Sequence, residues 1–436
     1  ATNFSTFNNY AGIDGDQVAI DEIDEHIAKG HLFATTSLEE ATQKLGGELP
    51  VLNKIGIITK VRAGKKKRRM ILDTNDTMVK DCTLKWQRVI LPRLLDAVTQ
   101  VLTLMSLAGL LISDVVDYGT ELFVLDFTEA FWQMPLHPRE RKYFAAMLKR
   151  DGIKQYLIFL RMVQGSRCAP LCWARLAALL MRLTQSLFSP ERLRLLCFVD
   201  DPIAGICGTP IERKVSIAVI ILTWEALGFT LAYRKGQRAQ SVTWIGGTLS
   251  IIPGGIRGAV KQEIVDDIIQ SLNDYSGRNV ISKKELHTFV GRVNFAAGLL
   301  ISVRPFLHAI WAALYAKEGN SPPNTVWIRQ IAHALSWLRA FFCNNIDGFA
   351  RDFRLIEYMG GGDVVEIGTD ASPWGLGGWL SVNGKITRHF SDSISSYDEK
   401  LFGVKIGSPD GQQIWECLAV LVALKLWSTG FVQQRV

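Results

Sequence analysis

Three carboxylates stand out by their type and their neighbours. Asp126 closes the apolar run LFVLDF, and the pair Asp200-Asp201 follows the apolar run LLCFV. A carboxylate that ends a buried strand is costly unless a positive charge neutralises it. A divalent cation would do so. Two Mg²⁺ ions held by such acids stabilise both the attacking and the leaving oxygen of a phosphoryl displacement, and Mn²⁺ suits the same oxygen ligands. Successive residues of a regular strand point to opposite faces, so Asp200 is expected to be the bridging ligand and Asp201 its neighbour. Taken alone, Asp200-Asp201-Pro202 reads as well as a plain hairpin turn. Cations lie upstream: between Lys54 and Arg69 there are eight basic residues and no acid. That run reads as a β-hairpin whose tip and inner face are positive.

The surrounding pattern supplies elements to position these groups. Strands are expected over 122–127, 156–162, 195–199 and 203–206, with a further strand or turn at 242–248. Helices are expected over 84–113 (bounded by Pro92), 170–185 and 212–227. The order β-α-β-β-α-β around an acidic hairpin suggests a ferredoxin-like split βαβ unit. Beyond Ile256 the pattern turns helical. Ser282-Lys283-Lys284-Glu285 is a capping box, and Leu286, Phe289, Val290 and Val293 form one apolar stripe behind it. A linker is expected at 317–323, a helix at about 325–343, and a domain boundary at Gly360-Gly361-Gly362. Residues 1–50 read as an extension that packs on a larger body.

Composition narrows the class. The chain has 436 residues, 48% hydrophobic and 21% charged, which fits several globular domains and excludes disorder throughout. A net charge of +7 favours a polyanionic partner. The seven cysteines form no CxxC pair, so a reducing, intracellular setting without structural zinc is expected. No Cys/His metal site emerges from the spacing of the histidines. The N-terminus shows no secretory signal, and the most apolar stretch, 97–113, is too short and polar to span a bilayer, so no membrane partner is expected.

Five blocks then fall in one order: LDFTEAFWQMPL (125–136), VQGSRCAP (163–170), CFVDD (197–201), GFTLAYRKG (228–236) and TWIGG (243–247). In order and approximate spacing they resemble the reverse transcriptases of retroelements, with most similarity to those of retrotransposons and pararetroviruses. The resemblance runs from about residue 54 onward. It implies an α+β right-hand polymerase with a ferredoxin-like palm, fingers and a helical thumb, plus a partial ribonuclease H-like α/β module. The implied division is an N-terminal extension (1–53), fingers (54–121 with part of 138–163), palm (122–255), helical thumb (256–322), linker helix (323–360) and partial ribonuclease H-like module (361–436). The implied activity is RNA-directed DNA polymerisation. A primer 3′-hydroxyl on an RNA or DNA template would be extended with dNTPs by two-metal phosphoryl transfer.

Roles follow residue by residue from the same resemblance. Asp126, Asp200 and Asp201 would be the palm metal acids, with the backbone of Phe127 beside them. Phe131 would be the steric gate under the sugar. Gln164 and Gly165 would contact the incoming nucleotide, and Lys60, Arg62 and Arg69 would neutralise its triphosphate. Lys235 matches the lysine before the primer grip, and Trp244, Ile245 and Gly246 match the grip itself. Two departures are visible: Phe198 stands where the family usually has Tyr, and Pro202 follows the acid pair. Further on, Asp370 in GTDASPWGLGGWL and Glu416 before CLAVLVALKLW match the first two acids of a ribonuclease H. No acid follows Glu416, so hybrid-RNA degradation is expected to be absent. The alternative reading is a catalytically inactive or domesticated relative that only binds nucleic acid. Three intact palm acids speak against it.

Overall fold

The computed structural model describes residues 7–62, 65–109, 119–316, 321–344 and 349–428, with only the backbone of 60–62 and 65–67. Helix α1 (Gln17–Ala28) opens where the Asp16 carboxylate accepts the Ala19 amide at 3.0 Å. Strand β1 (Leu32–Thr35) and helix α2 (Leu38–Lys44) follow. The basic run forms the expected hairpin, β2 (Lys54–Arg62) against β3 (Lys65–Asp73). A short helix α3 (Val79–Cys82) precedes α4 (Leu94–Leu107). The helix expected over 84–113 therefore starts later. Pro92 lacks an amide proton and disfavours helical geometry in the residue before it. Residues 110–113 lie outside the described residues.

Strand β4 (Gly119–Val124) leads towards Asp126, and β5 (Ala145–Arg150) pairs with β6 (Ile153–Phe159). β1 pairs with the other edge of β6. Ile13, Ala19, Ile23 and Leu32 share one core with Ile55, Met70, Leu72 and Leu157. The N-terminal residues thus pack as a layer on the body that holds the basic hairpin.

The sheet that carries the acids joins β4 to β7 (Leu193–Phe198), β8 (Asp201–Gly208) and β9 (Gln237–Ala239) in the order β7-β8-β4-β9, every pair antiparallel. Two helices, α5 (Ala169–Gln185) and α6 (Pro210–Ala226), complete the chain order β-α-β-β-α-β, with β5 and β6 inserted after the first strand. Alternation places Phe123 and Leu125 against α5 and α6, and Leu122 and Val124 against α4. The β7–β8 turn falls at Val199-Asp200, one residue before the expected position. Phe198 pairs with Asp201, and Val199 takes φ +56°.

A second sheet runs β10 (Ser241–Trp244), β11 (Gly247–Ile252), β12 (Gly255–Val260) and, from far along the chain, β15 (Ala350–Arg354). Between β12 and β15 lie α7 (Gln262–Asp274), β13 (Val280–Ser282), α8 (Lys283–Ala297), α9 (Arg304–Tyr315), β14 (Thr325–Trp327) and α10 (Ile328–Asn344). The capping box at Ser282 and Glu285 closes as expected, with the Glu285 amide donating to Ser282 Oγ at 3.2 Å. α10 is no separate linker helix. Its Ile331, Leu335, Leu338 and Phe342 share the core of α7–α9.

After the short helix α11 (Leu355–Tyr358), strands β16 (Val365–Ala371), β17 (Gly375–Val382) and β18 (Lys385–Ser393) form an antiparallel sheet. Helix α12 (Ser396–Phe402) follows, and α13 (Gln412–Trp427) packs Trp415, Ala419, Ala423 and Trp427 onto the sheet. Among the described residues, no helix is long and apolar enough to cross a membrane.

Candidate active site

The three acids meet at one end of the β4–β8 pair. Asp126 lies two residues past β4. Its carbonyl accepts the Ala232 amide at 2.7 Å, and the next amide, Phe127, donates to the Asp200 carbonyl at 2.9 Å. Two indoles hold the turn: Trp173 Nε1 donates to Val199 O at 2.6 Å, and Trp244 Nε1 donates to Asp201 O at 2.9 Å. Nothing local in the sequence marks either bond. Pro202, the second residue of β8, fits a strand start, and the Phe198 ring packs against the core under α4. Neither departure from the family pattern displaces a carboxylate.

Charge is concentrated here. Burial, then the Asp126 and Asp200 charges, pushes Asp201 up to about 7. Burial and Asp126 also raise Asp200. Because Asp200 occupies the turn, strand alternation no longer separates it from Asp201, and both feel Asp126. Cations answer from several elements. The Lys235 ammonium pairs directly with the Asp126 carboxylate, Arg69 on β3 favours the ionised form of Asp200, and Lys261 that of Asp201. Lys261 was not singled out from the sequence, where it is one lysine before a helix. Burial pushes the Cys197 thiol up, so it stays protonated beside the acids. The donors are hard carboxylate oxygens with surplus negative charge, which fits Mg²⁺ or Mn²⁺.

The other expected residues divide. The Phe127 ring is buried against Trp173, Trp224 and Phe229, so only its backbone reaches the site. Phe131 is half-buried between two cores. The Gln164 carbonyl accepts the Leu72 amide at 2.9 Å, which ties the 163–166 loop to the basic hairpin. Gly165 is required there: its φ is +103°, and a Cβ would collide with the Leu72 carbonyl oxygen. Trp244 is fully buried, so its ring anchors the acid hairpin. The turn beyond it, Ile245 (φ +41°) and Gly246 (φ +92°), is half-buried, with Ile245 packed on the core that holds Trp244 and Gly246 close to Ile264 and Phe295. Lys60 and Arg62 lie on β2, with side chains outside the described residues. Asp370 lies on β16 and Glu416 on α13. Gln412 links the two elements, donating to Ala371 O at 2.6 Å and to Glu416 Oε1 at 2.9 Å.

The candidate site thus combines an antiparallel βαββαβ sheet, acids at one end of it, and a cationic hairpin tied to the 163–166 loop. The chain carries a reverse transcriptase (RNA-dependent DNA polymerase) domain, since residues 60–249 match that family. Two solved structures are similar over 96% of this chain. One is the foamy viral protease-reverse transcriptase dRH in complex with double-stranded DNA, at TM-score 0.52 and 15% identity, of which 62% is covered. The other is the foamy viral protease-reverse transcriptase in complex with double-stranded DNA, at TM-score 0.51 and 16% identity, of which 73% is covered. The chain thus spans under two thirds of the first of these, and at such identities the likeness concerns the fold. No curated protein matches by sequence.

Proposed function

We propose that this chain extends a primer 3′-hydroxyl with dNTPs on an RNA or DNA template. Residues 122–255 serve as palm, the β2–β3 hairpin with part of 138–163 as fingers, and the α7–α10 body as thumb. The observation that carries this reading is the excess of carboxylate at one sheet end, where Asp201 is pushed up to about 7 and cations converge from β3, Lys235 and Lys261. Two divalent cations held by Asp126, Asp200 and Asp201 would supply Lewis acidity towards the attacking 3′-oxygen and the departing pyrophosphate.

The chain's own residues do the rest. The Phe127 backbone, tied to the acid hairpin through its amide and Asp200 O, would help hold the cation of the nucleotide. Arg69, with Lys60 and Arg62 on the same hairpin, neutralises the triphosphate. The Gln164-Gly165 loop, tied to Leu72, orients the nucleotide. Phe131 excludes a 2′-hydroxyl. The Ile245-Gly246 turn positions the primer end while Trp244 anchors it to the acid hairpin. Lys235 holds the Asp126 carboxylate in place between turnovers.

Primer extension tests the reading. Asp126→Asn or Asp200→Asn should lower extension by at least about 10²-fold, the order lost when one group that stabilises transition-state charge is removed. Duplex affinity should stay within a few fold, because it comes mainly from phosphate contacts. Near-normal extension by either variant overturns the assignment.

A further inference from the structure

Away from the acids, a second cluster forms where the N-terminal layer meets the loop after Asp126. His26 Nδ1 and His31 Nδ1 lie 2.9 Å apart. With a Glu129 carboxylate oxygen, they make up the group of three His, Cys, Asp or Glu ligand atoms found within 4.8 Å of one another among the described residues. The imidazoles are held by stacking on one indole, Trp132, with ring centroids at 4.1 Å for His26 and 5.1 Å for His31. His26 is only 4% exposed. Burial lowers both histidines, His26 to about 4, so both rings are neutral near pH 7, the form that ligates a metal.

Behind His26, on the same helix, Glu22 Oε1 stands 4.0 Å from Nε2. A carboxylate behind a ligating imidazole fixes its tautomer and orientation at metal sites. Glu129 takes φ +49°, and Lys29 Nζ donates to both its oxygens at 3.0 and 3.1 Å. Lys29 also pairs with Glu25 at 2.7 Å, so Glu25 can retain the ammonium when Glu129 turns to a cation. Arg161 is the other positive charge acting on His31.

We propose that His26, His31 and Glu129 bind a divalent cation of the Zn²⁺ class, with the fourth position open to water. Two imidazole nitrogens and one carboxylate oxygen suit such an ion and not Mg²⁺. Tetrahedral ligands at Zn²⁺ lie about 3.3 Å apart, so the two Nδ1 atoms need move only a few tenths of an ångström. The ion ties the end of α1 to the loop between Asp126 and Phe131. This inference does not depend on the polymerase reading.

The test titrates the full chain, in excess Mg²⁺, with Co²⁺ and then Zn²⁺. The expected result is a single equivalent of Co²⁺ with visible d–d absorption of a tetrahedral N/O site, displaced by Zn²⁺, and a rise in Tm with Zn²⁺. His31→Gln and Glu129→Gln, at less buried positions than His26, should lose the band and the Tm rise while remaining folded by circular dichroism. Asp126→Asn should keep both. Absence of a saturable band in the wild type overturns the proposal. So does a band that survives His31→Gln but disappears in Asp126→Asn.

Discussion

At Asp201, burial and two neighbouring carboxylates make the ionised form costly, and Lys235 and Lys261 lower that cost. That balance is invisible in the tripeptide Asp200-Asp201-Pro202, although the acids themselves are plain in the sequence. Phe131 is a sharper case. Its type and place in LDFTEAFWQMPL suggest a gate, while its half-buried ring packs between two cores. Phe131→Val should raise ribonucleotide incorporation by about 10–200-fold, the range that about 1–3 kcal/mol of lost steric exclusion gives. Competition between dNTP and rNTP in single-nucleotide extension measures it, and unchanged selectivity makes Phe131 a core residue only.

At the scale of elements, the 163–166 loop and helix α1 each carry a constraint that can be tested. The loop touches β3 through Leu72 N–H and Gln164 O, and Gly165 leaves no room for a side chain. Gly165→Ala should strain the backbone by about 1–3 kcal/mol and push the loop off the hairpin, raising KM for dNTP more than it lowers kcat. Steady-state extension at varied dNTP separates the two. In α1, His26 is held neutral by burial with its charge otherwise favoured by Glu129 and Glu25 and opposed by His31 and Lys29. Its folded value of about 4 lies below the ordinary 6.5, so the unfolded chain binds the proton first. Stability is therefore fully present above about pH 6.5 and falls as pH drops towards 4, by at most about 3 kcal/mol. Denaturant melts in EDTA, wild type against His26→Phe, should show a flatter acid limb in the variant.

At the scale of the whole molecule, the described residues build separate cores: two for the N-terminal layer with the β5–β6 pair, one of them shared with the basic hairpin, two on the faces of the acid sheet, one for α7–α10, and small ones under α13. The β16–β18 sheet with α13 carries Asp370 and Glu416, and two-metal hydrolysis needs carboxylates around both ions. These 436 residues by themselves should leave the RNA of a labelled RNA/DNA hybrid intact in Mg²⁺ or Mn²⁺ while still extending a primer. Metal-dependent cleavage that vanishes in Asp370→Asn would show that two acids suffice here.

The sequence alone determined what is local. The continuous apolar run LFVLDF specifies a buried strand that ends at an acid, Ser282 and Glu285 specify where α8 starts, and five ordered blocks carry the resemblance to reverse transcriptases. Tertiary structure decided what depends on distant partners. β1 joins β6, β15 joins β12, α10 enters the helical core, Trp244 turns inward to hold Asp201, and His26 meets Glu129. The physical reason is the range of the forces involved. Side-chain direction and capping follow from bonds within a few residues. Strand partners, burial and shifted protonation depend on which surfaces remain to be covered once the rest of the chain has packed.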